Sequence, residues 1–204
     1  MEGTGQPLRR DRGDILFRPG EVACSLYRAE TGLLRLTELT QRGRTVTVRH
    51  ILPGDFFGEE ALTCETYRHQ AEVLIRSSLR RFEPSDLSGS ALRSLLESLG
   101  GQLQRLVQAE YDLQTADLRQ RIVRYLLELA DTPLGSEDPD NRLYVRATHE
   151  LLAEGTRSTR ESVSKVITDL RAAGWIESGY RHITLLDLPA LMGLLHSSQA
   201  VGAQ

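Results

Sequence analysis

Between Leu92 and Leu113, leucines fall at positions 92, 96, 99, 103, 106 and 113, in alternating steps of four and three that Glu110 interrupts. That spacing keeps one stripe of a helix apolar over several turns, the pattern of a coiled-coil seam. Helical from about Ser90 to Asp117, the element would be roughly 40 Å long at 1.5 Å per residue, more than a small domain covers with its own core. A second copy in a parallel dimer is the economical partner. Leu92, Leu96, Leu99, Leu103, Leu106 and Leu113 are then the expected dimer interface, with a helix buried inside the monomer as the competing reading.

Upstream of the seam the hydrophobic period is different. From Arg10 to Glu83 short β-type runs (ILF, SLYRAE, LLRLTEL, TVTVRHIL, AEVLI, SLRRFE) are punctuated by Gly13, Gly20, Gly32, Gly43, Gly54 and Gly58. Short strands with turn glycines predict a compact antiparallel β-roll or barrel. Downstream, Asp117 to Ala130 carries Ile122, Leu126, Leu127 and Leu129 at helical spacing. Residues 131–141 are dense in turn formers and read as an exposed loop. The fold class is therefore α+β: an antiparallel β-roll over 1–88, a dimerisation helix over 89–116 and a C-terminal domain over 117–204.

The C-terminal domain contains Thr148-His-Glu-Leu-Leu-Ala-Glu-Gly-Thr-Arg-Ser-Thr-Arg-Glu-Ser-Val-Ser-Lys165, which includes the single lysine of the chain. Val163, Val166, Ile167 and Leu170 recur at helical spacing and can pack inward, leaving Arg160, Glu161, Ser164 and Lys165 on the opposite face. This is the pattern of a DNA-reading helix-turn-helix, and an amphipathic surface helix is the plainer alternative. Ser158 followed by Glu161 fits a capping box, which would start the helix at its basic end. Trp175-Ile-Glu-Ser and His182-Ile-Thr-Leu flank Gly179-Tyr-Arg181 as a hairpin wing. Asp187-Leu-Pro-Ala caps a last short helix, with a frayed tail after about His196.

Bulk charge does not announce a partner. The formal net charge is -3, so any DNA affinity has to come from local arrangement, as in the stretch from Arg157 to Lys165 with three positive groups and one negative. No apolar run approaches the length of a membrane span, and the N-terminal residues lack an apolar signal core, so a cytoplasmic protein with no membrane partner is expected. Cys24 and Cys64 are too few for a disulfide framework and read as buried thiols. His50 and His69 lack a clustered partner, so no metal and no cofactor is expected.

With β-roll, long helix, helix-turn-helix and wing in that order, the chain resembles the cyclic-AMP receptor protein/FNR family of bacterial transcription regulators over nearly its whole length. The resemblance is carried by Thr159-Arg-Glu-Ser-Val-Ser-Lys165, by Pro53-Gly-Asp-Phe-Phe-Gly-Glu59 and by Arg121-Ile-Val-Arg-Tyr-Leu-Leu-Glu-Leu-Ala130. It implies double-stranded DNA as partner, a homodimer, and base reading by Arg160 on guanine, Glu161 on cytosine and Lys165 at the family's second basic position. Those residue types suit those bases: Arg and Lys donate to guanine O6 and N7, and a carboxylate accepts from cytosine N4. A TGTGA-like half-site follows. Thr148, His149, Ser158, Thr159, Ser164 and Arg181 match positions expected at the DNA backbone. Arg157 stands where the family's turn usually has glycine, and is either a further phosphate contact or a solvent-facing arginine.

In cyclic-AMP-binding members a Gly-Glu pair holds the ribose, an Arg-Ser pair the phosphate, and polar residues of the long helix the base. Gly58 and Glu59 match the first pair. His69 and Gln70 stand at the phosphate positions, and Leu106 and Val107 at the base positions, so this effector pocket reads as vestigial: a buried phosphate needs charge-assisted hydrogen bonds. Arg68 is adjacent, but strand alternation would turn it to the other face. The implied function is a non-enzymatic transcription regulator, an activator touching RNA polymerase, that needs no cyclic AMP. The alternative is the same DNA-binding role switched by a small molecule in the roll. A cupin-like β-barrel enzyme is a third reading, for which the roll supplies no HxH spacing or nucleophile with its base.

Overall fold

The computed structural model describes residues 5–196, apart from 42, 64, 65, 139 and 141. The chain divides into two compact units, Met1–Gln104 and Arg105–Gln204. The division falls inside the long helix rather than at its ends, so the sequence boundaries at 88 and 116 do not coincide with it.

In the first unit six antiparallel strands form the roll: β1 Gln6–Arg10, β2 Ile15–Phe17, β3 Leu26–Leu39, β4 Thr45–Ile51, β5 Phe56–Phe57 and β6 Gln70–Phe82. The sheet order is β1-β6-β3-β4, with β2 also paired to β6 and β5 to β3. Two pairs of runs that the sequence separates are continuous: SLYRAE joins LLRLTEL in β3, and AEVLI joins SLRRFE in β6. Gly32 explains the first. It lies inside β3 with φ +90°, where a Cβ would collide with the Ser77 Oγ, and the β3–β6 register shifts on either side of Thr31. It is a bulge glycine that admits a close neighbouring strand, not a turn. β1, which precedes the first expected strand, pairs Leu8 with Leu79.

Two apolar clusters fill this unit. Phe17, Leu34, Ile51, Phe57, Val73 and Leu79 form the first, and Phe17 stacks on Tyr67 with centroids 3.8 Å apart. The Tyr67 hydroxyl donates to the Ser25 carbonyl, and burial holds its proton well above the ordinary phenol range. The second joins Leu26, Phe56 and Phe82 to Ala91 and Leu95 of the long helix α1, Gly89–Thr115, with Leu87 and Leu99 against it. The seam is thereby split between two faces. Leu95, outside the leucine series, is buried and Leu99 leans on the roll, while Leu92 (43%), Leu96 (62%), Leu103 (62%) and Leu106 (43%) are exposed. Leu113 is half-buried.

The second unit continues with α2 Leu118–Ala130, β7 Gly135–Glu137, β8 Leu143–Val145, α3 His149–Gly155, α4 Arg160–Ala172, β9 Ile176–Gly179, β10 His182–Leu185 and α5 Leu188–His196. Asp117 caps α2 reciprocally with Gln120: each backbone N–H donates to the other's side chain. Asp187 caps the start of α5, accepting from the Ala190 N–H at 2.9 Å. Ile122, Val123, Leu126, Leu129, Leu152, Val163, Ile167, Leu170, Ile176 and Ile183 make the core. The stretch expected as loop from 131 to 141 contains β7, which pairs Ser136 with Tyr144 of β8; β10 and β9 complete a four-stranded sheet in the order β7-β8-β10-β9. Cys24 is exposed, contrary to the expected buried thiol, and Cys64 lies outside the described residues, as does the tail after His196. Among the described residues no helix is long and apolar enough to cross a membrane.

Candidate nucleic-acid interface

The interface is built on α3, the turn that follows it and α4. Thr148 caps α3 by accepting from the Leu151 N–H at 3.1 Å. Thr159, and not Ser158 as the capping box predicts, caps α4: its Oγ1 accepts from the Ser162 N–H at 3.2 Å. Ser158 is instead used by the turn, its N–H donating to the Ala153 carbonyl at 2.9 Å. With the Arg157 N–H on the Glu154 carbonyl at 3.3 Å, this is a Schellman closure whose left-handed position is Arg157, at φ +51°. The same closure ends α4, and there the left-handed residue is Gly174. The turn therefore keeps its glycine geometry with an arginine in it. The Arg157 side chain is exposed, with its guanidinium 3.4 Å from Glu110 on α1, itself exposed.

Val163, Ile167 and Leu170 are buried under α4 and Val166 is partly buried, as the spacing predicts, which turns Arg160, Glu161 and Lys165 outward, all three exposed. With His149, Ser164, Thr168 and Asp169 they line one open groove of about 560 Å³. Among the described residues none of the three makes a salt bridge, whereas Asp169 is held 3.6 Å from Arg119. His149, from α3, is harder to protonate than an ordinary histidine, because it is partly buried and because Arg160 adds positive charge beside it. Thr168 and Asp169 were not singled out from the sequence, although their helical spacing from Glu161 and Lys165 puts them on the same face. Arg181 sits in the turn of the β9–β10 hairpin with φ +60° and its guanidinium 5.3 Å from the Tyr180 ring. The groove is thus a polar surface with two cations, Arg160 and Lys165, and two carboxylates, Glu161 and the Arg119-paired Asp169, all presented by α4, and the wing cation Arg181 is not part of its lining.

Comparison with known proteins identifies both parts of the chain. A family model described as a Crp-like helix-turn-helix domain matches residues 120–194, and one described as a cyclic nucleotide-binding domain matches residues 8–92. The transcriptional regulator LdrP of Thermus thermophilus is 47% identical over 180 residues, 88% of this chain and 92% of that one. The chain belongs to the CRP/FNR family of transcriptional regulators. SdrP, a transcriptional regulator of the same organism, is 36% identical over 91% of this chain and 92% of its own. The crystal structure of a CRP-family regulator, also from Thermus thermophilus, superposes with a TM-score of 0.81 at 46% identity, covering 94% of this chain and 97% of that one.

Membership of the CRP/FNR family raises the question of whether the roll suits a cyclic nucleotide. Gly58, at φ +78°, opens a short 3-10 turn over Glu59–Leu62, where a Cβ would stand 3.2 Å from the Ser25 carbonyl. Glu59 is engaged by Arg49 of β4, whose Nη2 donates to both carboxylate oxygens, at 2.7 and 2.9 Å. His69 lies 3.8 Å from Glu60, and Gln70 begins β6 opposite Thr37. Arg68 is exposed ahead of the strand, so strand alternation does not govern it; its backbone N–H donates to Glu60 at 3.3 Å. Leu106 and Val107 are exposed on α1 in the second unit. The phosphate positions, His69 and Gln70, offer no guanidinium, the base positions, Leu106 and Val107, offer no polar group, and Glu59 already has a cation, so this set does not fit a cyclic nucleotide. Arg49 was missed in the sequence although a signal existed. In Thr45-Val-Thr-Val-Arg-His-Ile51 the valines face out, and Arg49 shares parity with the fully buried Ile51. Among the described residues no group of His, Cys, Asp and Glu is arranged to hold a metal ion.

Proposed function

We propose that the chain is a homodimeric transcription activator that reads a TGTGA-like palindrome without needing cyclic AMP and contacts RNA polymerase. The observation that carries the reading is the outward face of α4: Arg160, Glu161 and Lys165 stand exposed on a helix whose opposite face is buried. In this reading Arg160 donates to guanine, Glu161 accepts from cytosine N4, and Lys165 reaches a second guanine, each good pair being worth about 1 to 3 kcal/mol of discrimination. Thr148, His149, Ser158, Thr159, Ser164 and Arg181 set register on phosphates, which carry no sequence information. Dimerisation uses the exposed leucines of α1, and effector independence is supported by the Arg49–Glu59 pair. RNA polymerase contact, with the segment 131–142 that contains β7 as its candidate surface, rests on likeness to the family.

The deciding experiment titrates the protein onto a TGTGA palindrome and onto random duplex across salt concentrations, with and without cyclic AMP, and then adds polymerase to a promoter carrying the site. Tight palindrome binding that ignores the nucleotide, with increased transcript, is the expected result. A large gain in affinity with cyclic AMP would overturn effector independence; repression by bound protein would overturn activation.

A further inference from the structure

Arg49 does more than neutralise Glu59. Its Nη1 donates to Oε1 of Gln102 on α1. Gln102 is buried, at 5% exposure, and its Nε2 donates to the Phe56 carbonyl at 2.9 Å and to the Ser98 Oγ at 3.0 Å. The Ser98 Oγ in turn accepts from the Phe56 N–H at 2.9 Å. Both backbone groups of Phe56 in β5 are therefore satisfied by side chains of α1. The two contacts require the same orientation of the Gln102 amide: Oε1 accepts from Arg49 while Nε2 donates to the Phe56 carbonyl. One side chain thus links β4, the Gly58–Glu59 turn, α1 and, through Gln102, β5. Leu26, Phe56 and Phe82 also pack on Ala91 and Leu95, with Leu99 against them, so apolar contacts from Ala91 to Leu99 and polar contacts at Ser98 and Gln102 hold α1 to the roll.

From this network we infer that Arg49 is a built-in occupant of the roll's nucleotide pocket, a positioning residue whose guanidinium does at Glu59 and Gln102 what a diffusible ligand would otherwise have to do. The inference rests on the effector-independent reading above and supplies its mechanism. A ligand stabilises the conformation it binds in proportion to its differential affinity for that conformation; a tethered guanidinium does so at all times and at no ligand concentration. The segment held is the part of α1 that carries Leu96 and Leu103, so the pin acts on DNA binding through the helix on which the proposed dimer forms.

The test uses the full-length protein and compares Arg49→Met, Arg49→Lys and the double variant Arg49→Met/Glu59→Met. Specific affinity is read by fluorescence anisotropy on the palindrome, and amide hydrogen exchange is read over Leu95 to Gln104. Arg49→Met is expected to weaken palindrome binding about tenfold, the scale of one lost charge-assisted hydrogen bond, and to speed exchange around Gln102. Arg49→Lys, which retains the charge, should recover part of the affinity, a graded response that mere misfolding would not produce. The double variant removes both charges and keeps apolar bulk, a change that often leaves folding intact, so it decides the matter should the single variant unfold. A folded double variant that binds the palindrome as tightly as the wild type, with unchanged exchange over Leu95 to Gln104, overturns the inference. Should the wild type itself fail to prefer the palindrome over random duplex, the functional reading falls, and the exchange comparison still decides whether Arg49 pins α1.

Discussion

At the scale of single residues, the two Schellman closures of the second unit form an internal control. Gly174 adopts its left-handed conformation without steric cost, whereas Arg157 holds the same conformation with a Cβ, at about 1 to 2 kcal/mol. Arg157→Gly is therefore expected to leave the turn intact and to raise the thermal midpoint, less what the exposed Glu110 pair and the greater unfolded-chain freedom of glycine take back; a fall in midpoint would show that these two together outweigh the strain. Arg160 and Arg181 separate base reading from backbone contact. Arg160→Ala should lose about 1 to 3 kcal/mol on the palindrome and relax discrimination at one guanine, while Arg181→Ala weakens all sequences alike and flattens the salt dependence. Equal losses on random duplex would contradict that division. His149 has a depressed pKa, so as pH falls through the unfolded histidine value of about 6.5 the unfolded chain takes up more protons than the folded one, and stability declines with it. Between pH 7.5 and 5.5 the thermal midpoint of the wild type should fall further than that of His149→Gln. Arg160, Glu161 and Lys165 were legible in the sequence because helical spacing alone separates a buried face from an exposed one. Arg49 was not recognised, since its partners lie 10 and 53 residues away in the chain.

Among the elements, α1 shows how a periodic signal can be correct in kind and incomplete in assignment. The leucine spacing marks a helix, and Gly89–Thr115 is helical. Which leucines meet the roll was not contained in the spacing, because a helix with apolar residues on more than one side can bury any of them; Phe56 and Phe82 settled it by taking Leu95 and Leu99. Leu103 is 62% exposed and lies in the proposed dimer seam. Leu103→Glu should leave the roll folded, shift the protein to monomer in sedimentation velocity and reduce palindrome affinity sharply; a variant that remains dimeric would move the interface elsewhere. In the sheets, Gly32 was read as a turn because glycine permits one, and it proved to be a bulge because β6 runs too close for a side chain. The segment 131–141 was read as loop for its turn formers, yet three of its residues pair with Leu143–Val145, at the edge of a sheet that β10 continues on the other side of β8.

For the molecule as a whole, the proposed two-fold dimer fixes the geometry of the site it can read. Two recognition helices related by symmetry meet half-sites about 34 Å apart, one turn of DNA. Inserting about half a helical turn between the TGTGA half-sites should therefore abolish cooperative use of both and return affinity towards that of one half-site, whereas equal binding to both spacings would exclude the symmetric dimer. The order of β-roll, long helix, helix-turn-helix and wing was determined by the sequence alone, because hydrophobic period, turn residues and caps are local properties that each segment carries with it. The outward face of α4 was determined the same way. Tertiary structure alone decided that Arg157 keeps a glycine's backbone and pairs with Glu110, that Thr159 rather than Ser158 caps α4, and that Arg49 lies on Glu59. The physical reason is common to all three: which cation meets which carboxylate, and which hydroxyl meets which free N–H, depends on distances between segments that packing sets, and no spacing along the chain encodes them.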